Sequence, residues 1–386
     1  MGKHRINKTY KEINEKIKSG KAVVVTAEEI IDIVKENGAV EAANNVDVVT
    51  TGTFAPMCSS GAFLNIGQTK PLIRTTSTLF NNVPAYSGLA AVDCFLGATQ
   101  PCEDDPLNKI YPGEFNYGGG HVIQDLVAGK KVTLKAKAYA TDDYPKTRLE
   151  KTIVLNDLSQ AILCNPRNAY QNYNCAINMS DKIKYSYMGI LKPEMGNANY
   201  STSAQLSPLL NDPYLKTIGL GTRIFLGGAM GYVTWNGTQH KKDVDRSSIG
   251  VPLTPSATLF VMGDLKEMSP KWLVGQSFKG YGCSLSVGLG VPIPILNEEM
   301  AQYTAVSDDE LFTQIIDYGD GYGQGNFKSY GQVSYGELKS GTIMVNGKKV
   351  QTVPLSSIVK AREIADKLKQ WILKKGFLLG EPQHFF

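Results

Sequence analysis

Cys58 stands in the stretch TGTFAPMCSSGAFLN (residues 51–65), with Met57, Ser59, Ser60 and Gly61 as neighbours where a packing cysteine would have branched aliphatics. A thiol that only packs behaves as a small hydrophobe. Gly52, Pro56 and Gly61 predict a turn, and a turn would bring backbone N–H groups toward the sulfur. Such groups favour the thiolate, which is the nucleophilic form. A half-buried structural cysteine in a loop also fits this stretch.

Two further stretches carry residues of the right types for a reaction at that sulfur. In YPGEFNYGGGHVIQDLVAGKK (residues 111–131), Gly118, Gly119 and Gly120 precede a predicted helix, and His121 falls in its first turn. Free N–H groups there would receive an anion, with His121 as proton donor; a tight turn needing positive φ is the alternative reading. The spacing matches neither a P-loop nor a dinucleotide fingerprint. In NPRNAYQNYNCAIN (residues 165–178), Arg167 would hold a carboxylate through two parallel hydrogen bonds, fenced by Asn165, Asn168 and Asn172. GTRIFLGGAMGYVTWNGTQH (residues 221–240) adds Arg223 and His240. Each arginine alone fits an ion pair or the surface equally well; together they point to a polar pocket for a small anion.

Metal ligation has no local motif, since CxxC and HExxH are both absent. The six cysteines are Cys58, Cys94, Cys102, Cys164, Cys175 and Cys283. Three of them meeting in space would hold a [4Fe-4S] cluster with one open iron, which scattered spacing leaves undecided. No ferredoxin-like run of cysteines occurs, so electrons for a reduction would come from another protein.

The elements that must position these residues read as α/β. Residues 8–18 form a short helix; AVVV (residues 22–25) is a strand running into a helix capped by Thr26 and Glu29 and stopped at Gly38. A second helical stretch leads to the strand DVVTTG, so Cys58 follows the end of a strand in a strand–helix–strand unit, where open α/β sheets place ligands. Beyond about residue 131 the texture turns β-rich, with KVTLKAKAYAT, KTIVLN, RIFLGGAMGYVTW and ATLFVMGDL. Residues 277–295 read as tightly turned loop and strand, DDELFTQIIDYG as a helix, GTIMVNGKKVQTV as a hairpin turning at Asn346-Gly347, and residues 356–375 as the clearest helix, striped by Ile358, Ala361, Ala365, Leu368 and Ile372. The expected fold is a mixed sheet with an N-terminal strand–helix–strand unit and a more β-rich second half. Residues 1–386 form one catalytic unit in one or two lobes.

Composition narrows the function classes. Hydrophobic residues make up 42% and charged residues 20% of the 386, as in ordinary globular proteins. The 40 basic and 36 acidic residues leave a net charge of +4 with no basic stripe, so nucleic-acid binding is not indicated. No apolar run reaches bilayer length, and the charged N-terminus has no apolar core of a secretory signal. A cytoplasmic protein with reduced cysteines is expected. The apolar tail FLLGEPQHFF would either cover a neighbouring subunit in a homo-oligomer or pack on its own domain.

Taken in order, TGTFAPMCSSGAFLN, YPGEFNYGGGHVIQDLVAGK, NPRNAYQNYN and GTRIFLGGAMGYV resemble the homocysteine biosynthesis family of sulfur-incorporating proteins from anaerobic archaea and bacteria, the L-aspartate semialdehyde sulfurtransferases. The resemblance spans roughly residues 10–375, without the CBS domains that some members append. It implies conversion of the aldehyde of L-aspartate semialdehyde into the thiol of homocysteine, an intermediate of methionine biosynthesis. The sulfur would come from sulfide or another donor and travel on Cys58 as a persulfide. Two electrons and protons must then reduce the thioaldehyde-level adduct, which implies a small ferredoxin-like partner. Members often carry a second cysteine in a Thr-Asp-Cys-Tyr-Pro stretch; the matching segment here is ATDDYPKTR, with Asp143 at that position. Aspartate cannot carry sulfur, so Cys58 suffices, or Cys94, Cys102 or Cys175 substitutes, or Asp143 serves as an acid or base in altered chemistry. Two other readings stand beside this one: a noncatalytic iron–sulfur or sulfur-carrier protein, and a sulfurtransferase acting on another small aldehyde or ketone.

Overall fold

The computed structural model describes residues 5–386, so the first residues of the charged N-terminus lie outside it. Thr9 caps the helix Tyr10–Ser19 through a reciprocal pair with Glu12. Val24–Thr26 and Val48–Thr50 pair in parallel, joined by the helix Glu29–Asn45, which is the expected strand–helix–strand unit. The Thr26–Glu29 capping pair is present, with Thr26 N–H 2.7 Å from the Glu29 carboxylate. Gly38, at φ +79°, breaks the helical path and makes two helices of what is otherwise one.

The chain then leaves that small sheet for a larger one. Thr53–Pro56 joins a nine-stranded sheet by pairing antiparallel with Gly282–Gly290, a strand buried at all nine positions. Cys58 therefore sits in the turn between Thr53–Pro56 and Gly61–Asn65, each held by antiparallel neighbours, and not at the carboxyl end of a parallel strand. Residues 277–295, expected as tightly turned loop and strand, contain this long central strand, whose Gly288 and Gly290 let Ile364 approach the backbone on one face.

A second, six-stranded sheet is built from Cys175–Ile177, Ala198–Tyr200, Phe312–Asp317, Ser329–Ser334, Thr342–Val345 and Lys348–Pro354, over its own apolar core of Ile177, Leu311, Val333, Tyr335 and Val350. Phe312–Asp317 corrects the expected helix over DDELFTQIIDYG. It lies between Cys175–Ile177, parallel, and Ser329–Ser334, antiparallel. The β-branched Thr313, Ile315 and Ile316 suit that slot, and tertiary pairing overrides the local helical period. The hairpin turns at Asn346-Gly347 as expected, with φ of +48° and +77°. The last helix, Ile358–Leu373, is capped by Ser357 and buries Ala361, Ile364, Ala365, Leu368 and Ile372. The C-terminal tail packs on its own chain: His384–Phe385 pairs with Gly219–Leu220, and His384 stacks on Trp235. No helix among the described residues is long and apolar enough to cross a membrane.

One buried charge ties the N-terminal helix to the parallel unit. The Asp47 side chain is 1% exposed and takes Lys8 at 2.9 Å, Lys16 at 2.6 Å and the Val23 N–H at 3.0 Å. Burial pushes its carboxyl up, but the bonds from Lys16, Val23 and Lys8 outweigh this and hold it below the usual range. Its stabilising contribution is thus complete above the unfolded carboxyl value of about 4 and is lost as pH falls through the lower folded value. Asp47→Asn is expected to cost about 3 kcal/mol in urea unfolding at pH 7, with a smaller loss at acid pH, because Lys8 is left buried without its counter-charge. Equal stability of the two proteins at pH 7 would refute this role.

Candidate active site

Met57 to Ser60 form the turn that carries Cys58. Ser60 N–H closes it on the Met57 carbonyl at 2.9 Å, and Met57 N–H is held by the Leu285 carbonyl at 2.8 Å. These amides are spent on the backbone, so the sulfur is met by hydroxyls. Ser284 Oγ donates to Cys58 Sγ at 3.3 Å, and the Tyr281 phenol lies near enough to feel the same sulfur. Desolvation, followed by the neighbouring sulfur, pushes the Tyr281 phenol up to about 12, so it is a protonated donor at neutral pH.

Asn165 fastens this turn to the strand that carries the arginine. Its Nδ2 donates to Ser60 Oγ at 2.8 Å, and its Oδ1 accepts from Ser59 Oγ at 2.8 Å and from Arg167 N–H at 3.1 Å. The chain then bends through Ala169 at φ +53° and Asn172 at φ +62°, a left-handed conformation costing about 1 kcal/mol or more at Ala169. The bend brings Arg167, Ala169, Tyr170 and Tyr173 onto one wall. Thr53 and Ala55 to Ser59 also line it, Ser59 beside Arg167 through its bond to the Arg167 carbonyl, and the six-stranded side supplies Ser201 to Ser203 and Leu355. Tyr187, Met188, Gln239 and Tyr281 complete a cavity of about 360 Å³. No hydrogen bond or ion pair engages the Arg167 guanidinium among the described residues, so it remains available to a carboxylate.

Among the described residues the cavity wall contains no Asp, Glu, His or Lys. His121 does not reach it. Its Cα lies against Gly275 and its Nε2 is 3.3 Å from Ser277 Oγ. Gly275 and Ser277 pair with Leu285 and Cys283, which point to one face of Gly282–Gly290, whereas Ser284 points to the other. His121 and Cys58 are thus on opposite faces of that strand, and burial pushes the imidazole down, toward neutrality. The three glycines serve packing. Gly119 and Gly120 donate to Gln100 and Ala98 carbonyls, and a Cβ on them would come within 1.8 Å of Gly97 O and 2.0 Å of Ser284 O. No free amide cradle is left there for an anion.

Arg223 lies elsewhere, donating to the Leu378 carbonyl at 3.3 Å. Asn168 is fully buried with neither amide atom paired and does not line the cavity, and Asn172 is committed to the Pro252 and Phe312 carbonyls and the Tyr335 hydroxyl. Asp143 is exposed in the turn between Val132–Lys137 and Arg148–Ile153, away from the cavity. Of the expected site residues, the structure brings together Cys58 and Arg167.

The other cysteines do not gather around Cys58. Burial pushes Cys94 and Cys175 up to about 12, and Cys164 and Cys283 up to about 11, which keeps them neutral thiols. Among the described residues no three His, Cys, Asp or Glu side chains are placed to hold a metal ion. The cysteine placement therefore does not fit a [4Fe-4S] cluster, and no step is assigned to one.

Residues 22–379 match the family described as homocysteine biosynthesis enzyme, sulfur-incorporation. The chain belongs to this family. The L-aspartate semialdehyde sulfurtransferase of Methanosarcina acetivorans is 48% identical over 377 residues, covering 98% of this chain and 71% of that protein. The enzyme of the same name from Methanocaldococcus jannaschii is 49% identical over 389 residues, covering 97% and 72%. No solved structure matches. For a sulfur-incorporating family, a cysteine set among hydroxyls at a cavity wall is the group whose surroundings suit the chemistry.

Iodoacetamide titration of the native protein, read by peptide mass, is expected to label Cys58 well before Cys94, Cys164, Cys175 and Cys283. Ser284→Ala should slow Cys58 labelling about fivefold, the worth of about 1 kcal/mol in thiolate stabilisation. Labelling of the buried four ahead of Cys58 would contradict the site.

Proposed function

We propose that the protein transfers sulfur to the aldehyde carbon of L-aspartate semialdehyde, yielding L-homocysteine, with Cys58 as the sulfur carrier. The observation that carries this reading is that one hydroxyl-bound cysteine and one uncommitted arginine line the same small cavity. The family match and the names of the two archaeal relatives support the same substrate.

Arg167 would take the substrate carboxylate bidentately, and the rings of Tyr170 and Tyr173 would face its ammonium group. That orientation leaves the aldehyde toward Cys58. Sulfane sulfur, passed by thiol exchange from a persulfide or polysulfide donor that leaves as the thiol or the shortened polysulfide, would reside on Cys58 as a persulfide, with Tyr281 and Ser284 stabilising the anion. The terminal sulfur adds to the aldehyde carbon, and the oxygen takes up one proton. Two electrons and a proton cleave the S–S bond and return Cys58 as thiolate. Loss of water leaves the thioaldehyde, and two further electrons and two protons give the thiol. A small ferredoxin-type protein is the proposed electron donor, since the reaction draws low-potential electrons from outside the chain. The cavity's ready carboxylate holder favours this reading over a sulfur carrier that only passes sulfur to a partner.

The deciding experiment is anaerobic homocysteine formation from L-aspartate semialdehyde, polysulfide as the sulfane donor and a low-potential reductant. Cys58→Ala should abolish product, and Arg167→Ala should raise KM about 10²-fold, the worth of a charge-assisted pair of about 2–3 kcal/mol. Full activity of Cys58→Ala would remove the carrier role. No homocysteine from wild type, with a competent reductant, would leave the carrier or altered-substrate readings.

A further inference from the structure

The wall has no carboxylate, imidazole or ammonium group among the described residues, so apart from Arg167 its acidic protons are those of hydroxyls and the Cys58 thiol. Four tyrosine hydroxyls meet at one side of it. Tyr187 OH lies 2.8 Å from Tyr173 OH, 3.0 Å from Tyr318 OH and 2.6 Å from Tyr322 OH. Tyr173 and Tyr187 line the cavity, Tyr318 is 4% exposed, and Tyr322 is half-buried at the rim of the exposed segment 323–329. A line of hydroxyls thus runs from the surface at Tyr322, through Tyr187, to the cavity at Tyr173.

The bonding arithmetic gives the line a direction. A phenol hydroxyl has one hydrogen to donate and two lone pairs, so three hydroxyl neighbours saturate Tyr187. When Tyr322 and Tyr318 donate to it, its own hydrogen goes to Tyr173, and the hydrogen of Tyr173 is freed for the cavity. Tyr318 stacks on Tyr322 with ring centroids 3.8 Å apart, and its hydroxyl is the third neighbour of the hub. No hydrogen bond among the described residues joins Tyr281 to this line, and the Cys58 sulfur is among the causes that push its phenol up.

We propose that Tyr322, Tyr187 and Tyr173 form a proton relay that protonates the aldehyde oxygen as sulfur adds to the carbon. The inference rests on the sulfur-transfer reading above and assigns the source of its first proton. In that step the persulfide sulfur forms the C–S bond and the C=O π pair moves to oxygen. Oxygen takes the Tyr173 proton, Tyr173 is refilled from Tyr187, Tyr187 from Tyr322, and Tyr322 from solvent water. The persulfide anion, aldehyde and one proton become a neutral hydroxyalkyl disulfide on Cys58, and no electrons are exchanged. Tyr173 would touch the reacting oxygen; Tyr187 and Tyr322 act through it. Burial, the leading cause, pushes the phenols of Tyr173, Tyr187 and Tyr318 up, that of Tyr173 to about 12, so a concerted shift along neutral hydroxyls suits the line better than stepwise ionisation.

The test is a single turnover without reductant. Cys58 is loaded to the persulfide, the load is checked by mass, L-aspartate semialdehyde is added anaerobically, and the adduct on the intact protein is timed by quenching in H₂O and in D₂O. Wild type should form the adduct with a solvent isotope effect. Tyr187→Phe should slow it about 10²-fold, with unchanged persulfide loading and unchanged half-saturation by the aldehyde, and with an altered isotope effect. Tyr322→Phe keeps the ring stack and removes only the outer hydroxyl; it should slow the step about tenfold and covers the case in which Tyr187→Phe fails to fold. Wild-type rates and isotope effects in the folded phenylalanine variants would overturn the relay and leave sulfur transfer standing. Absence of adduct from loaded wild type would overturn both.

Discussion

The strand Gly282–Gly290 is paired along both edges and covered on both faces, and this double enclosure is the constraint from which the site follows. A strand so enclosed must satisfy any polar side chain it carries from inside the protein, because water cannot. Ser284 does so by donating to the Cys58 sulfur. The opposite face accepts the helix Gly119–Val127 only because glycines at its start let backbone meet backbone. The same strand thus seats a helix on one side and fixes the reactive sulfur on the other.

The cavity also owes its character to what surrounds it. Two sheets with separate cores contribute its walls, and neither brings a charged group apart from Arg167. A cation in a space bounded by hydroxyls and aromatic rings acts over a lower effective dielectric than at the surface, so it governs how a carboxylate is oriented. The phenols are weak acids made weaker by burial, and they donate hydrogen bonds without carrying charge. That suits an anionic sulfur, which is stabilised by donors and would be repelled by carboxylates.

Local patterns in the sequence were informative where the chain's own neighbours decide the conformation. The short N-terminal helix, the capping pair at Thr26–Glu29, the break at Gly38, the Asn346-Gly347 turn and the stripe of the last helix were all legible. Cys58 and Arg167 were legible as well, through unusual company for a thiol and a run of amides and tyrosines around the arginine. Phe312–Asp317 was not, because its place between two distant strands outweighs its helical period. His121 shows the same limit: residue type and a helix start suggested chemistry, while the alternation of a strand 160 residues away decided which face it occupies. Tyr281 and Ser284 carried no signal of their own, since only pairing with Thr53–Pro56 brings them to the sulfur. Tyr187, Tyr318 and Tyr322 were equally silent, being ordinary tyrosines until the six-stranded sheet assembles them.

The cavity draws on residues from Thr53 to Leu355, so nearly the whole chain must close on itself before its walls exist. Contacts of such long sequence separation carry the loop-closure cost early and return their stabilisation late, which places this cavity among the last features to form during folding. A nascent or partly unfolded chain therefore displays the Cys58 thiol without the Ser284 hydroxyl and the cavity wall that surround it in the finished molecule. The environment of that thiol is in this sense a product of completed folding, and immature copies expose it as an ordinary cysteine.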